Sequence, residues 1–314
     1  MKKTNLAISV IIPTFNRKEK LFNKTLKALN NQNFPIDNFE VLIIDDGSSD
    51  GTKEYFKKYK DFYKYKIKYF YQENKGPGTA RNVGIRQAGA DILLFIGDDI
   101  IATPDLLKKH MDFHHEYPEN NIGMLGYITW SPEIEVIPFM KWLENSGTQF
   151  SYYRLKHGDK IKEGFFWTCN ISLKKSFLLN NNGFFDEDFP YAAYEDSELG
   201  YRLNKRGLIL VYNKNALGYH YHYSDLSSIR KRMFIVGKSA VIFQSKHPEM
   251  DILGTSAIRI IKSLVLKIII NPLSIIILEK IAYHCQYRYN LPPVYKAVSN
   301  FYLRKGICQG KRLF

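Results

Sequence analysis

The sequence predicts an α/β protein built on a mainly parallel sheet flanked by helices, followed by a helical C-terminal region. Three observations predict it. Short runs rich in β-branched residues alternate with helix-period patterns through the first third of the chain. A polar, often acidic cluster follows most of those runs, as expected where parallel strands end at a ligand-binding edge. Charge is divided unequally: of the net +14, the segment from Arg230 onward holds +12, with 15 Lys+Arg against 3 Asp+Glu.

The elements follow in order. Ile8 to Ile12 reads as a buried strand, Lys18 to Asn30 as a helix, Phe39 to Ile44 as a strand and Thr52 to Tyr59 as a helix. Ile67 to Tyr71 is the third strand, Gly78 to Ala88 a helix and Ile92 to Ile96 the fourth strand. Such alternation means βαβ units with helices on both sheet faces. From Asn121 to Phe165 the pattern loosens around Pro132, Pro138 and Gly147, where an acceptor-binding insertion is expected. Regularity returns with a strand over Phe166 to Leu173, a helix over Tyr194 to Arg206, a strand over Leu208 to Tyr212 and an extended segment Tyr219 to Tyr223. The expected organisation is a domain over 1–225, in two halves of about 1–120 and about 121–225, then a basic, apolar helical region over 226–314.

Composition narrows the class. With 45% hydrophobic and 24% charged residues in 314, the chain is ordinary globular protein, which excludes disorder, collagen and a disulfide scaffold. Cys169, Cys285 and Cys308 lie too far apart for a metal motif and suit reduced thiols in a cytoplasmic setting. The apolar run after Met1-Lys2-Lys3 stops at Pro13 without a cleavage site, so it reads as a strand and not a secretory signal. Ile268 to Leu278 is uncharged over only 11 residues, short of a bilayer span of about 20. A basic protein with 22 Tyr and 21 Phe is expected to meet an anion: nucleic acid, a membrane surface or a phosphorylated substrate.

The strand-end clusters carry the candidate chemistry. Asp98 and Asp99 follow a strand directly, and adjacent carboxylates suit either a divalent metal or an exposed turn capping the helix near Pro104. Asp45-Asp46-Gly47-Ser48 suits a turn, or carboxylates that accept from a base or ribose. Lys75-Gly76-Pro77-Gly78, with Arg81 and Asn82 beyond it, suits approach to a diphosphate but is no P-loop. Glu195 and Asp196 open a helix, where the dipole favours acids and a general base is possible. His220 and His222 share a face if extended and suit a metal or phosphate; His110 and His114 read as surface or packing residues.

Taken together and in order, Pro-Thr-Phe-Asn-Arg (13–17), Asp-Asp-Gly-Ser-Ser-Asp-Gly-Thr (45–52), Asn-Lys-Gly-Pro-Gly-Thr-Ala-Arg-Asn (74–82), Phe-Ile-Gly-Asp-Asp (95–99), Tyr-Glu-Asp-Ser-Glu-Leu-Gly-Tyr-Arg (194–202) and His-Tyr-His (220–222) resemble the family 2 glycosyltransferases. The resemblance implies a Rossmann-like sheet of GT-A type and an inverting transferase using a nucleotide-diphosphate sugar and Mn²⁺ or Mg²⁺. It implies nucleotide contacts at Pro13, Thr14, Asn16, Asp45, Asp46, Arg81 and Asp98. Asp99 becomes the nearer metal ligand, joined by Asp98 and His220, while Asp196 becomes the base with Glu195 as runner-up. Gly97 stands where the family often has a third Asp.

The tail lies beyond the resemblance. Ile258 to Ala282 mixes apolar residues with Arg259, Lys262, Lys267 and Lys280, which fits peripheral contact with the inner face of a membrane or a helical subdomain with a basic outer face. The expected acceptor is a glycan or lipid-linked hydroxyl. Competing readings are a sugar-nucleotide pyrophosphorylase, which needs a Gly-rich basic loop after the first strand, and a nucleic-acid-binding protein, which the acidic clusters oppose.

Overall fold

The computed structural model describes residues 6–161, 164–253 and 272–312. Met1–Ile134 and Tyr152–His222 form one compact unit, and Glu135–Ser151 with Tyr223–Phe314 a second. The division falls three residues before the one drawn from sequence, and 135–151 groups with the C-terminal residues instead of with the rest of 121–225.

The first unit is a single sheet of order β3-β2-β1-β4-β8-β6-β9-β5, with β7 (Lys160–Ile161) also on β9. Its first four strands, β1 (Ile8–Thr14), β2 (Phe39–Asp45), β3 (Lys66–Tyr71) and β4 (Ile92–Ile96), are parallel. β1, β2 and β4 are buried along their whole length, as continuous apolar runs require, whereas the edge strand β3 turns Lys66 and Lys68 outward. The connecting helices are α3 (Thr52–Tyr59) and α4 (Pro77–Gln87). The first helix is interrupted: α1 (Lys18–Lys20) passes through a π-helical turn, Leu21–Thr25, into α2 (Leu26–Leu29). Within that turn Thr25 Oγ1 donates to the Asp98 carbonyl at 2.9 Å, tying the helix to the acidic pair.

Beyond β4 the sheet becomes mixed. β5 (Ile100–Ala102) and α5 (Leu106–Glu116) follow, then β6 (Ile122–Trp130), β8 (Asn170–Lys174), α7 (Lys175–Asn180), α8 (Glu195–Lys205) and β9 (Ile209–His220). β8 runs antiparallel between β4 and β6, so its first residue, Asn170, lies beside Ile96 at the carboxyl end of β4. β6 falls where the sequence pattern loosens. Its Gly123 and Gly126 break the alternation because a Cβ at either would collide with Leu173 or Asn170 of β8. The strand read at 208–212 and the first residues of the segment 219–223 belong to one strand, β9, ending at His220. His110 and His114 are buried and hydrogen-bonded to Ser172, so packing is their place.

The second unit holds α6 (Pro138–Ser146), the helix Leu226–Lys246 and the helices Pro272–Cys285 and Pro292–Gly310. A reciprocal cap starts the second of these: Asp225 accepts from Ser228 N at 2.7 Å, and Ser228 Oγ accepts from Asp225 N at 3.0 Å. Helices 226–246 and 292–310 run side by side in the same direction, Arg230 meeting Tyr302 and Gly237 meeting Gly306. At Gly306 a Cβ would press into the Phe234 carbonyl oxygen. Gly306→Val is therefore expected to force the helices apart and cost about 3 kcal/mol, measured as a lower urea midpoint; an unchanged midpoint would mean that the pair yields without cost. Of the apolar tail segment, 254–271 lies outside the described residues. No helix among the described residues is long and apolar enough to cross a membrane.

Candidate active site

All the strand-end clusters gather at the carboxyl edge of the parallel strands. Thr14, last residue of β1 and register partner of Asp45, donates from Oγ1 to Asp98 Oδ2 at 2.8 Å. Asn16 adopts a left-handed φ of 52° and bridges two loops: its N–H donates to Ser48 Oγ, and its Oδ1 accepts from Ser49 N, both at 2.8 Å. Asp45 accepts from Ser48 N at 2.7 Å and from the Tyr69 hydroxyl. Asp46 accepts from Gln72 Nε2 at 2.6 Å and from the N–H groups of Lys75 and Gly76 at 2.9 Å. The second acidic pair thus shapes the Lys75–Gly76 turn that opens α4.

Asp99 is the centre of charge. Its Oδ2 lies 3.3 Å from both His220 Nε2 and His222 Nδ1 and is bonded by Arg17 Nη1. Burial alone would raise this carboxyl, but the charge and hydrogen bond of His220, the His222 hydrogen bond and Arg17 hold it well below the usual range. Its neighbour Asp98 is pushed the other way, to about 6, by burial and by the charge of Asp99, against Arg17 at 3.6 Å and Thr14. The two histidine rings stack at 5.3 Å, and His220 lies flat on Trp130 at 5.4 Å.

One oxygen of Asp99 and one ring nitrogen from each of His220 and His222 lie within 4.8 Å of one another. A carboxylate with two imidazoles is a donor set that fits a first-row divalent ion, Mn²⁺ included. Asp98 stands outside this group, engaged by Thr14 and Thr25.

On the other side of the site, Arg81 Nη1 donates to Glu195 Oε1 at 3.0 Å in a buried pair, with the guanidinium 5.4 Å from the Phe185 ring. Among the described residues, the buried Arg81 Nε and Glu195 Oε2 have no hydrogen-bond partner. Burial and the neighbouring Asp196 push the Glu195 carboxyl up to about 7 despite Arg81. Asp196 is half-buried at the start of α8 and accepts from Ser197 N at 2.8 Å. Tyr194, just before the pair, has φ 69°, a strained value for a bulky side chain that sets the angle at which α8 presents its acids. The Cys169 thiol joins the two sides: burial and the charges of Asp196 and Asp99 together push it up to about 12.

Pro13, Thr14, Asn16, Asp45, Asp46, Asp98, Asp99, His220 and His222 therefore stand at this edge, and Arg81, Glu195 and Asp196 form the other side of the site. Arg17 and His222 prove as close to Asp99 as His220 is, and Thr25 and Trp130 complete the surroundings. Arg17 lies within the Pro-Thr-Phe-Asn-Arg cluster, which is the signal that could have marked it; nothing local marks Thr25 or Trp130.

Fold and site together define a GT-A protein of the glycosyltransferase type. Residues 9–179 match the model of glycosyl transferase family 2, and the chain belongs to that family. Validoxylamine A glucosyltransferase of Streptomyces hygroscopicus subsp. jinggangensis (strain 5008) is 30% identical over 243 residues, covering 67% of this chain and 54% of that protein. The chain spans about half the length of the curated relatives it matches first. Among solved structures, the mannosyltransferase PcManGT from Pyrobaculum calidifontis, in complex with GDP-Man and Mn²⁺, aligns with a TM-score of 0.65 at 16% identity over 97% of this chain and 86% of that one. S. aureus TarS 1-349 in complex with UDP-GlcNAc aligns at 0.54 and 21% identity over 75% of this chain and 67% of that one.

Proposed function

We propose that this chain transfers a sugar, with inversion, from a nucleotide-diphosphate donor, UDP-linked, to a hydroxyl of a glycan or lipid-linked acceptor in cell-surface glycan synthesis. The observation that carries this reading is the convergence of Asp99, His220 and His222 at the sheet edge where Thr14 and Asp98 meet, with Asp196 near enough for its charge and that of Asp99 to act on one thiol.

The chain's own residues divide the work. Pro13, Thr14, Asn16, Asp45 and Asp46 form the loops that receive the nucleotide, Asp98 faces the ribose, and Arg81 offers its unpartnered Nε. Asp196 is the base: half-buried at the start of α8, beside the Glu195 that Arg81 engages, it takes the acceptor proton as the hydroxyl oxygen attacks the anomeric carbon and the nucleotide diphosphate departs. Glu195 holds Arg81 and, through it, the N-terminal half of α4. Asp99, His220 and His222 would hold a divalent ion, Mn²⁺ or Mg²⁺, which when bound supplies charge stabilisation for the departing diphosphate. Arg17 keeps positive charge beside Asp99.

The first unit is the catalytic domain in this reading, and the second supplies peripheral membrane contact. The helix Pro272–Cys285 exposes Leu273 (78%), Ile276, Ile277 (62%) and Ile281, at the spacing of one helical face, with Lys280 among them. Exposed Tyr283, Tyr287 and Tyr289 follow. An apolar face with cations and tyrosines suits the interface of an anionic leaflet, each cation adding about 1 kcal/mol. The protein is expected to pellet with phosphatidylglycerol-containing vesicles at low salt, and an Ile276→Asp, Ile277→Asp double variant to stay in the supernatant. Equal pelleting of both would remove this face from that role.

The test of the central reading is a panel of UDP-, GDP- and dTDP-sugars with Mn²⁺ or Mg²⁺, scored by thermal stabilisation and slow donor hydrolysis. A response to one nucleotide class supports it. Silence across the panel with folded protein would overturn it.

A further inference from the structure

His220 ends a strand that changes register just before reaching it. β9 pairs in parallel with β6, Gly126 opposite Asn213 but Tyr127 opposite Leu217, so residues 214–216 are looped out. Side chains alternate along a strand with a period of two, and an insertion of odd length reverses the faces that the following residues present. The loop-out therefore governs which residue of β9 becomes the register partner of Trp130, and His220, the residue so placed, stacks on it.

A side chain from a third strand grips this irregularity. Asn170, first residue of β8, donates from Nδ2 to the Ala216 carbonyl at 2.9 Å and to the Tyr127 carbonyl at 3.2 Å. These are the last looped-out residue of β9 and the first residue of β6 past the shift. The amide occupies the space above Gly126, where any Cβ would collide with Nδ2. That is a packing reason for glycine at this position.

With both amide hydrogens given to carbonyls, Asn170 Oδ1 is an acceptor, and a buried relay serves it. His110 Nε2 lies 2.9 Å from Oδ1; His110 Nδ1 lies 2.8 Å from Ser172 Oγ; Ser172 Oγ lies 2.8 Å from His114 Nε2. His114 Nδ1 is 3.2 Å from Lys174 Nζ, which also donates to the carbonyls of Tyr117 at 2.7 Å and Ile122 at 3.3 Å. An ammonium only donates, so starting from Lys174 each partner's role is forced. His114 accepts at Nδ1 and donates from Nε2, Ser172 accepts and then donates, His110 accepts at Nδ1 and donates from Nε2, and Asn170 Oδ1 accepts. Starting from Asn170 leads to the same assignment, so no member is frustrated. Both rings must be neutral for this, and burial holds His110 down at about 4 and His114, beside Lys174, at about 3.

We propose that Asn170, locked by the His110–Ser172–His114–Lys174 relay, is a positioning residue: it clamps the β6–β9 irregularity and thereby aims His220 at the divalent-cation site shared with Asp99 and His222. The proposal rests on the metal reading above. A lone asparagine could turn its amide over; here the turned amide would set Oδ1 against two carbonyl oxygens and an N–H against His110 Nε2–H. The relay makes one orientation the only satisfied one.

The test is a Mn²⁺ titration of the full chain without nucleotide, followed by electron paramagnetic resonance, on wild type, Asn170→Asp, Ser172→Ala and Ser9→Ala. The last removes a buried hydroxyl that donates to Glu40 Oε1 at 2.9 Å on the opposite side of the sheet. Asn170→Asp is expected to weaken Mn²⁺ binding about 10–100-fold, as loss of support behind a metal ligand does, Ser172→Ala by a smaller factor, and Ser9→Ala not at all. Nitrogen-15 spectra of wild type should show His110 and His114 as Nε2–H tautomers. Folded Asn170→Asp with Mn²⁺ affinity within about two-fold of wild type would overturn the positioning role; if that variant does not fold, unchanged affinity in Ser172→Ala does so. An equal loss in Ser9→Ala would overturn it as well, by reducing the effect to general destabilisation. Absence of Mn²⁺ binding in wild type would overturn the metal reading and this proposal with it.

Discussion

Asp196→Asn is expected to lower sugar transfer by about 10²–10⁴-fold, the range supplied by a positioned general base, while leaving nucleotide affinity unchanged. The substitution is nearly isosteric, and the amide oxygen can still accept from Ser197 N, so that contact in the first turn of α8 is kept. What disappears is the capacity to hold the acceptor proton. The companion Glu195→Gln separates the two acids. Glu195 is buried against Arg81, so its loss should appear first as weaker donor binding through a displaced Arg81 and only secondarily in turnover. Initial transfer rates and nucleotide-induced thermal shifts measure both. If Asp196→Asn retains more than a tenth of wild-type transfer, the assignment of the base fails.

Asp99→Asn is expected to be the most damaging single change to the site. It removes the only carboxylate within 4 Å of both His220 and His222 among the described residues and leaves Arg17 facing a neutral amide. Divalent-ion affinity should fall by at least about 100-fold, since an anionic ligand is exchanged for a neutral one, and transfer should fall with it. Stability changes with a definite sign. The folded carboxyl lies below its ordinary value of 3.8, so its contribution is present above 3.8 and is lost as pH falls through the folded value. The variant should thus unfold more readily than wild type at neutral pH, by about 3–5 kcal/mol for a buried pairing broken on one side. The gap should close in strong acid. Equal melting temperatures at pH 7, with Mn²⁺ binding retained, would exclude Asp99 from both roles.

The parallel half of the sheet was legible because burial imprints a pattern on the chain. β1, β2 and β4 are covered on both faces and read as uninterrupted apolar runs, and Thr52–Tyr59 matches the expected helix end for end. The mixed half was not. β6 carries glycines at 123 and 126 that answer to β8, a strand more than forty residues away, and no local period records such a demand. β9 was read as two pieces because residues 214–216 leave the pairing. The π-helical turn in the first helix was hidden likewise, since its effect is a contact from Thr25 to Asp98 across the sheet edge.

Sequence by itself determined the family, the alternation of elements and the strand ends at which chemistry gathers, because those depend on local periodicity and on which residue types stand next to one another. Only the tertiary structure decided which groups each acid meets. It paired Glu195 with Arg81, brought Arg17 and both histidines to Asp99, and grouped 135–151 with the C-terminal helices. The physical reason is one of range. A hydrophobic period records that a side chain is covered, but a carboxylate's role depends on the charges and donors within a few ångströms, and those come from segments more than a hundred residues distant.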